Sequence, residues 1–280
     1  MLTAYKWQRR VFTVLAVGLV GACGFFAPNP DGSLPLATRT PPAKASTAVF
    51  ESTEDVATKG SALVLPADSE GIRVYRAARN HKGAKILVST ENRWLWYVSG
   101  NDTLISAPVA VGQGNNFEFN GKKWKFTTPR GKRYVVKKEE NPIWTVPLWH
   151  YYEKASHRGL DAVHTKEGEK YALEDGTWIE IRDNEVGRVN KFGNFWPFTP
   201  GKEIVFEGKV FVPPVGTEQR RIADVLGTHK LEMGNGYLIH GTNEEGSIGD
   251  AVSHGCIRMY NEDVAELYAS VPVGTPVYIY

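Results

Sequence analysis

Two residues in the last fifth of the sequence, His240 and Cys256, are of types that together support nucleophilic catalysis. A cysteine attacks as its thiolate, so it needs a base that accepts its proton, a group that orients this base, and backbone N–H groups that stabilise an oxyanion. His240 ends an apolar segment, and Cys256 follows 16 residues later, beyond a Gly-rich polar segment that is long enough to fold back. The spacing therefore predicts a thiol and imidazole pair suited to acyl transfer.

The residue before the cysteine is glycine, within the run Ser253-His254-Gly255-Cys256. Glycine tolerates backbone conformations that other residues avoid, so the chain is able to turn tightly at this point. We expect this turn to direct the N–H groups of Gly255 and Cys256 toward one substrate carbonyl, as an oxyanion hole requires.

Each of these residues also has an ordinary structural interpretation. A single cysteine is commonly a small buried side chain, and a histidine at the end of a strand is commonly a surface or capping residue. A metal site is a further alternative, because His240, His254 and Cys256 offer nitrogen and sulfur ligands. The sequence contains no clear fourth ligand, so we predict neither a metal site nor a cofactor.

The composition is typical of a globular chain that does not bind nucleic acids. Hydrophobic residues make up 42% and aromatic residues 11%, which is enough for a packed core. The 33 basic and 31 acidic residues are interspersed and leave a formal charge of +2, so we expect no nucleic-acid partner. A length of 280 residues accommodates an export signal and one sizeable domain with an insertion.

Residues 1–26 have the pattern of an export signal. Basic residues precede a hydrophobic run over 11–22, which is shorter than the roughly 20 residues that a membrane-spanning helix needs. We therefore predict export to the periplasm or cell envelope, with a retained membrane anchor as second choice. The run Val20-Gly21-Ala22-Cys23 resembles a bacterial lipobox, so lipidation of Cys23 and ordinary cleavage nearby both stay open.

Cysteine usage makes Cys256 notable in an exported chain. Exported proteins normally pair their cysteines, but this sequence has only two, and Cys23 lies in the predicted signal. An unpaired thiol in an oxidising compartment is either buried and inert or retained for chemistry. The histidine and glycine near Cys256 favour chemistry.

A spacer is predicted between the signal and the catalytic domain. Residues 27–83 are rich in Pro, Ser, Thr and Ala in their first part and lack sustained periodicity, as in a flexible spacer and lead-in. Residues 70–80 are predicted to form a short helix with Val74, Ala77 and Ala78 on one face.

Residues 84–280 are predicted to form one mostly β domain, interrupted by an insertion at about 150–220. Strand-like segments with turn residues between them dominate its first half, and Asn261 is a candidate cap for a helix after the cysteine. The main predicted elements are a strand over 85–89, a hairpin of strands over 94–98 and 103–111, a strand over 236–240, a helix over 261–270 and a strand over 276–280.

Two short motifs give the sequence a family resemblance. His240-Gly241-Thr242 and the run from Ser253 to Met259 resemble the signature of the L,D-transpeptidase catalytic domain of YkuD type. The joint spacing of His-Gly and Ser-His-Gly-Cys is highly specific. Further segments resemble that domain in matching order: Ile86-Leu87-Val88, Trp94-Leu95-Trp96, Val111-Gly112, Thr128-Pro129-Arg130-Gly131, Asn141-Pro142-Ile143-Trp144, Leu226-Gly227 and Val273-Gly274-Thr275-Pro276-Val277.

The resemblance implies a mostly β, sandwich-like or barrel-like domain with a short helix after the catalytic loop and an inserted lid-like segment. It also implies peptidoglycan stem peptides as the partners. In the family, the cysteine attacks the carbonyl of the third residue of a tetrapeptide stem and releases the terminal D-alanine. The thioester then passes to an amine, which gives a 3→3 cross-link. We expect the chain to act as a monomer.

The resemblance also assigns roles to individual residues. Cys256 is implied as the nucleophile, His240 as the proton donor and acceptor, and the backbone carbonyl of Gly241 as the group that orients His240. Ser253 and His254 shape the loop, and the amides around Gly255 form the oxyanion hole. Expected substrate contacts are Arg258, Ser253 and Tyr237, with pairing inside the loop as the alternative for Arg258.

Two other functions remain open from the sequence. Water in place of the amine would make the chain an L,D-carboxypeptidase or another hydrolase. A cell-wall binding module without activity would use its histidines and cysteine for a metal or for structure. The aromatic residues of the insertion either line a groove or pack a partial lid, which we favour: Trp149, Tyr151, Tyr152, Trp178 and Trp196.

Overall fold

The computed structural model describes residues 66–280. The predicted signal at 1–26, with Cys23, and most of the predicted spacer lie outside the described residues. The structure is mostly β, as predicted. Its elements in chain order are α1 (Ser69–Asn80), β1 (Lys85–Ser89), β2 (Trp94–Ser99), β3 (Asp102–Pro108), β4 (Val111–Gly112), β5 (Asn116–Phe119), β6 (Lys122–Lys125), β7 (Gly131–Tyr134), β8 (Lys137–Glu140), β9 (Trp144–Thr145), α2 (Leu148–Arg158), β10 (Asp161–His164), β11 (Tyr171–Ala172), β12 (Trp178–Arg182), β13 (Glu185–Val189), β14 (Phe195–Pro197), β15 (Ile204–Phe206), β16 (Lys209–Val212), β17 (Arg221–Ile222), β18 (His229–Glu232), β19 (Leu238–His240), β20 (Ala251–Ser253), β21 (Ile257–Arg258), α3 (Asn261–Ser270) and β22 (Pro276–Ile279).

Two sheets form the body of the domain. The first has the strand order β3-β2-β1-β22-β7, and the second has the order β21-β19-β18-β8. In the first sheet β1 is the central strand, and all five of its residues are buried, as expected for a strand that is covered on both faces. It pairs antiparallel with β2 and parallel with the C-terminal strand β22. Strands β2 and β3 pair antiparallel and form the predicted hairpin.

The main hydrophobic core contains residues from both sheets and from α3. Alternate residues of each strand contribute to it, because successive side chains of a strand point to opposite faces. Val277 and Ile279 of β22, for example, lie in this core, whereas Tyr278 between them packs in a separate cluster with α1. The second sheet contributes Leu231, Ile239 and Ile257.

Helix α1 covers the outer face of the first sheet. Asp68 caps it, since its carboxylate accepts hydrogen bonds from the N–H groups of Glu70 and Gly71. The helix confirms the element predicted over 70–80, but one face residue was wrong. Tyr75 is buried there and Ala77 is exposed, because Tyr75 packs edge-on against the ring of Tyr280.

Helix α3 has the predicted bounds and buries Val264 and Leu267. The expectation that Asn261 caps it was wrong. Tyr260 occupies the N-cap position, and the Asn261 side chain instead accepts from the Thr228 N–H and donates to the Thr242 carbonyl. Asn261 therefore joins two loops beside His240. None of the helices within residues 66–280 is long and apolar enough to cross a membrane.

The insertion is folded around two hydrophobic clusters, one of which also contains Val146 and contacts Phe119 from outside the insertion. The paired strands β9 and β17 close it at its base. Inside it, β10, β16 and β15 form one sheet and β11 to β14 form another. One cluster includes Tyr151 and Val210, and a second includes Ile179 and Phe211. The sequence predicted an aromatic partial lid, but it did not predict α2, whose first turns reach the cysteine loop.

Candidate active site

Two neighbouring parallel strands bring His240 and the cysteine loop together. Strand β19 ends at His240, and β21 begins at Ile257, directly after Cys256. Their register pairs Ile239 with Ile257 and His240 with Arg258. The loop of residues 241–256 thus folds back as the sequence predicted.

His240 is buried, and its surroundings define its protonation state. Its Nδ1 lies 2.5 Å from the carbonyl oxygen of Gly241. Because a carbonyl only accepts hydrogen bonds, Nδ1 carries a proton and Nε2 keeps a lone pair when the ring is neutral. Burial lowers the pKa of His240 to about 4, although the Gly241 carbonyl opposes the shift. The ring is therefore neutral at pH 7 and able to act as a base.

Cys256 is half-buried, and its thiol is protonated at neutral pH. Burial raises the pKa of the Cys256 thiol, while a hydrogen bond from the Leu238 N–H and the charge of Arg258 act in the opposite direction. The thiol Sγ lies 3.9 Å from the carbonyl oxygen of Gly236.

In this structure the thiol of Cys256 contacts the Gly236 carbonyl rather than the His240 ring. Contacts between catalytic groups are often long before substrate binds and shorten in the complex. Within residues 66–280, no three His, Cys, Asp or Glu side chains lie close enough together to hold a metal ion.

The cysteine loop is held by a short chain of hydrogen bonds. Ser253 Oγ donates to the Cys256 carbonyl oxygen over 2.5 Å and accepts from the Gly255 N–H over 3.1 Å. The Gly255 N–H is thus engaged inside the loop by the Ser253 hydroxyl. On the other side, Thr128 Oγ1 donates to the Gly255 carbonyl over 3.1 Å.

Gly255 occupies a position that suits only glycine. Its φ is +117°, and a Cβ atom built there would lie 3.0 Å from Cε1 of Tyr237 and 3.1 Å from the carbonyl oxygen of Thr127. A neighbouring close contact explains another motif residue. A Cβ atom on Gly112 would lie 2.5 Å from the backbone nitrogen of Thr128. Because neither glycine has a Cβ atom, the backbone of residues 126–128 packs closely against both Gly112 and Gly255.

His254 contacts the insertion. Its ring stacks on Trp149, with centroids 3.8 Å apart and planes inclined by 16°, and its Nε2 lies 3.0 Å from Oε2 of Glu153. Burial lowers the pKa of His254, and the Glu153 carboxylate opposes that shift. Phe126 packs edge-on against the same ring. Helix α2 therefore holds the imidazole of His254 through one stacked ring and one carboxylate.

The three expected substrate contacts, Tyr237, Arg258 and Ser253, have different neighbours in the structure. Tyr237 is half-buried beside Gly255. Arg258 forms an ion pair with Glu244 at 2.5 Å and also donates to Ser247 at 3.3 Å. Pairing inside the loop, the alternative considered for Arg258, is thus observed. Ser253 is buried, and its hydroxyl bonds to the Cys256 carbonyl and the Gly255 N–H of the same loop.

Sequence reasoning missed Glu153 and Phe126 as neighbours of the site. A signal for Glu153 exists, because it follows Trp149 by four residues and such residues share a face of a helix. That signal is visible only if residues 148–158 are recognised as a helix. Phe126 lies outside any strand, is buried, and packs edge-on against Trp149 of α2.

Comparison with known proteins gives the chain a family. The family model of the YkuD-type L,D-transpeptidase catalytic domain matches residues 83–279. The chain is 52% identical over 199 residues to the probable L,D-transpeptidase YbiS of Escherichia coli, a match that covers 70% of this chain and 44% of that protein.

A shorter match carries the same family description. The putative L,D-transpeptidase YkuD of Bacillus subtilis is 52% identical over 62 residues, which cover 22% of this chain and 38% of that protein. The chain spans less than half the length of these relatives.

The solved L,D-transpeptidase of Xylanimonas cellulosilytica aligns at 16% identity and a TM-score of 0.38, covering 75% of this chain and 69% of that one. Because the family model spans well over half of the 280 residues, the chain belongs to the L,D-transpeptidase catalytic-domain family.

Proposed function

We propose that the chain is an exported peptidoglycan L,D-transpeptidase in which Cys256 is the nucleophile. The observation that carries this proposal is the buried, neutral His240, whose Nδ1 faces the Gly241 carbonyl and whose strand adjoins the cysteine loop. A neutral imidazole with a free Nε2 is the base that a protonated thiol requires. The family membership supports the reaction type.

In the proposed first half-reaction, the donor is a tetrapeptide stem. Nε2 of His240 takes the proton from Cys256 Sγ as the sulfur attacks the carbonyl carbon of the third residue. The Cys256 N–H stabilises the resulting oxyanion. The peptide C–N bond then breaks, the leaving amine takes the proton from His240, and D-alanine departs, so that a thioester remains on Cys256.

In the second half-reaction, an amine attacks the thioester. Nε2 of His240 takes one proton of that amine, the C–S bond breaks, and the thiolate recovers the proton. The result is a new amide bond, such as a 3→3 cross-link or an attachment to protein. The peptide bond that is broken supplies the energy, so the enzyme needs no nucleotide and is suited to the cell envelope.

The supporting residues act through the loop. Ser253 and Thr128 fix the backbone on either side of Gly255, and His254 is held from the insertion by Glu153. These residues are proposed to keep the Cys256 N–H and Sγ aimed at the same carbonyl. Misplacement by about 1 Å is enough to cost on the order of 100-fold in rate.

The test is a product analysis with a defined tetrapeptide donor. Mass spectrometry of the reaction should show free D-alanine and, when an amine acceptor is added, a joined product. The Cys256→Ala variant should give neither. A tripeptide formed at the same rate with and without the amine would make water the acceptor and replace transfer by hydrolysis. Unchanged product in the variant would contradict the mechanism.

A further inference from the structure

Arg133 lies on the face of its strand that is turned toward the hydrophobic core, where an apolar residue is expected. Strand β7 pairs with β22, and Arg133 stands opposite Val277. Val277 faces the main core, whereas Tyr278 faces the cluster under α1. Residues paired across two strands share a face, so Arg133 is on the core side of the edge strand. Its neighbour Lys132 is on the opposite side, over the ring of Tyr278.

The guanidinium of Arg133 packs on an aromatic ring, and one of its nitrogens has no hydrogen-bond partner among the described residues. Its Cζ lies 4.8 Å from the ring centroid of Tyr237. Its Nε is buried and has no hydrogen-bond partner within residues 66–280. Burying a donor without a partner lowers stability, and such exceptions occur where a binding site needs the group.

One aromatic ring separates this guanidinium from the cysteine loop. The same Tyr237 ring lies close to Gly255, because its Cε1 is 3.0 Å from the position of a Cβ atom built on Gly255. Gly236, next to Tyr237, provides the carbonyl that faces Cys256 Sγ. The Tyr237 ring therefore lies between the Arg133 guanidinium and the cysteine loop.

The other arginine near the site is already engaged. Arg258 is paired with Glu244 and also donates to Ser247. Arg133, by contrast, offers an unpaired donor next to a stacking ring. A planar guanidinium matches a carboxylate in a two-pronged arrangement, which makes it a selective receptor for that group.

We propose that Arg133 binds the terminal carboxylate of the donor peptide, that of the residue which leaves, and so makes a free C-terminus a requirement for the donor. The choice of peptide rests on the proposed function. The carboxylate lies one residue beyond the attacked carbonyl, and one residue spans about 3.5 Å of extended chain. The Arg133 guanidinium, on the far side of the Tyr237 ring from the cysteine loop, is the cation proposed to receive this carboxylate.

The test measures binding rather than turnover. The full chain carrying Cys256→Ala is titrated by calorimetry with a tetrapeptide ending in a carboxylate and with the same peptide ending in an amide. We expect the acid to bind about 10- to 100-fold more tightly, as expected for a charge-assisted hydrogen-bonded pair. Adding Arg133→Gln should bring the ratio close to one, while Arg133→Lys should keep part of it.

Lys132→Gln is the matched control, because it removes the same charge from the adjacent residue on the opposite face of the sheet. It should leave the acid-to-amide ratio unchanged. The ratio compares two ligands on one protein, so partial misfolding of a variant does not alter it. An unchanged ratio in Arg133→Gln, or equal binding of both peptides by the starting protein, would overturn the assignment.

This outcome is separate from that of the proposed function. If the ratio depends on Arg133 but the unsubstituted chain forms no D-alanine from the acid peptide, the carboxylate site stands and the proposed reaction fails. If the chain makes the expected product and Arg133→Gln keeps the full ratio, the reaction stands and the carboxylate site fails.

Discussion

At the scale of single residues, burial keeps both reacting groups neutral. Burial lowers the pKa of His240 and raises that of Cys256, so the proton rests on sulfur before substrate arrives. The Gly241 carbonyl selects the tautomer in which Nε2 is unprotonated. Before substrate binds, the pair is therefore a neutral thiol and a neutral imidazole rather than a thiolate and an imidazolium. The proton is expected to pass from Cys256 to His240 as the sulfur attacks.

The low pKa of His240 predicts a pH-dependent stability. The unfolded chain binds the proton near pH 6.5, while the folded chain binds it only near pH 4. Between these values the unfolded state holds more protons, so the free energy of unfolding falls as the pH falls. The shift corresponds to a loss of about 3 kcal/mol across this window. Denaturant unfolding of the wild type and of His240→Gln at several pH values measures it.

The difference between the two unfolding curves isolates this residue from the other titrating groups. The variant should lose about 3 kcal/mol less than the wild type over the same window. His157→Gln, which removes an exposed histidine of α2, should retain the wild-type slope. Equal slopes in all three proteins would show that His240 is protonated normally in the folded state.

Gly255 gives a second prediction at this scale. Gly255→Ala places a Cβ against Tyr237 and the Thr127 carbonyl, at a φ of +117°. The loop must shift, and we expect turnover to fall by about 100-fold or more. Gly249→Ala is a matched control, because its φ is +96° but no atom lies within 4 Å of the added carbon. Comparable activity of the two variants would contradict a steric role for Gly255.

At the scale of elements, α2 connects the insertion to the cysteine loop. Trp149 and Glu153 lie four residues apart on this helix and contact the same imidazole, that of His254. We infer that Glu153 is a positioning residue that acts through His254. The insertion is therefore expected to affect catalysis through the orientation of the loop.

Glu153→Ala removes the acceptor of the His254 hydrogen bond. Since a hydrogen bond to a charged partner contributes about 1.5–3 kcal/mol, we expect kcat to fall about 10-fold or more with little change in KM. Glu153→Gln should restore most of the rate, because its amide oxygen still accepts from Nε2. Lys154→Ala on the same helix should behave like the wild type. Loss of activity in Glu153→Gln as large as in Glu153→Ala would rule out positioning by this bond.

The elements that sequence patterns predicted are those whose pattern is local. The hairpin of β2 and β3 and the helix α3 follow from runs of apolar residues with the period of a strand or a helix. Helix α2 was missed because its residues are aromatic and charged, and its buried face is covered by strands that come later in the chain. Asn261 was misassigned since its partners, Thr228 and Thr242, are distant in sequence.

The residues of the site also differ in whether the sequence alone identifies them. His240, Gly241 and Cys256 are close in sequence and belong to one signature, so they were identifiable from it. Arg133 and Glu153 come from separate segments, and only the register of β7 and the fold of the insertion bring them to the cysteine loop. Their residue types carry no signal until those neighbours are known.

At the scale of the whole molecule, the domain and its insertion have separate hydrophobic clusters. Val277 belongs to the core between the two main sheets, and Val210 belongs to a cluster of the insertion. Structures divided in this way tend to open as separate cooperative units. We therefore expect local unfolding of the insertion while the main sheets stay protected.

Hydrogen exchange of two matched variants checks this expectation. Val210→Ala should reduce amide protection in β10, β15 and β16 and leave β1 and β22 near their wild-type protection. Val277→Ala should reduce protection in β1 and β22, because both valines are fully buried and their truncation leaves cavities. An equal loss of protection throughout the chain in both variants would show a single cooperative unit.

Cys256 is proposed to carry the acyl group during the reaction. Intact-mass spectrometry of the chain, quenched with acid shortly after mixing with excess tetrapeptide donor, tests it directly. We expect an adduct with the mass of the donor minus D-alanine, located at Cys256 by peptide mapping and absent in Cys256→Ala. Release of D-alanine by the Cys256→Ala variant, or an adduct located at any other residue, would contradict it.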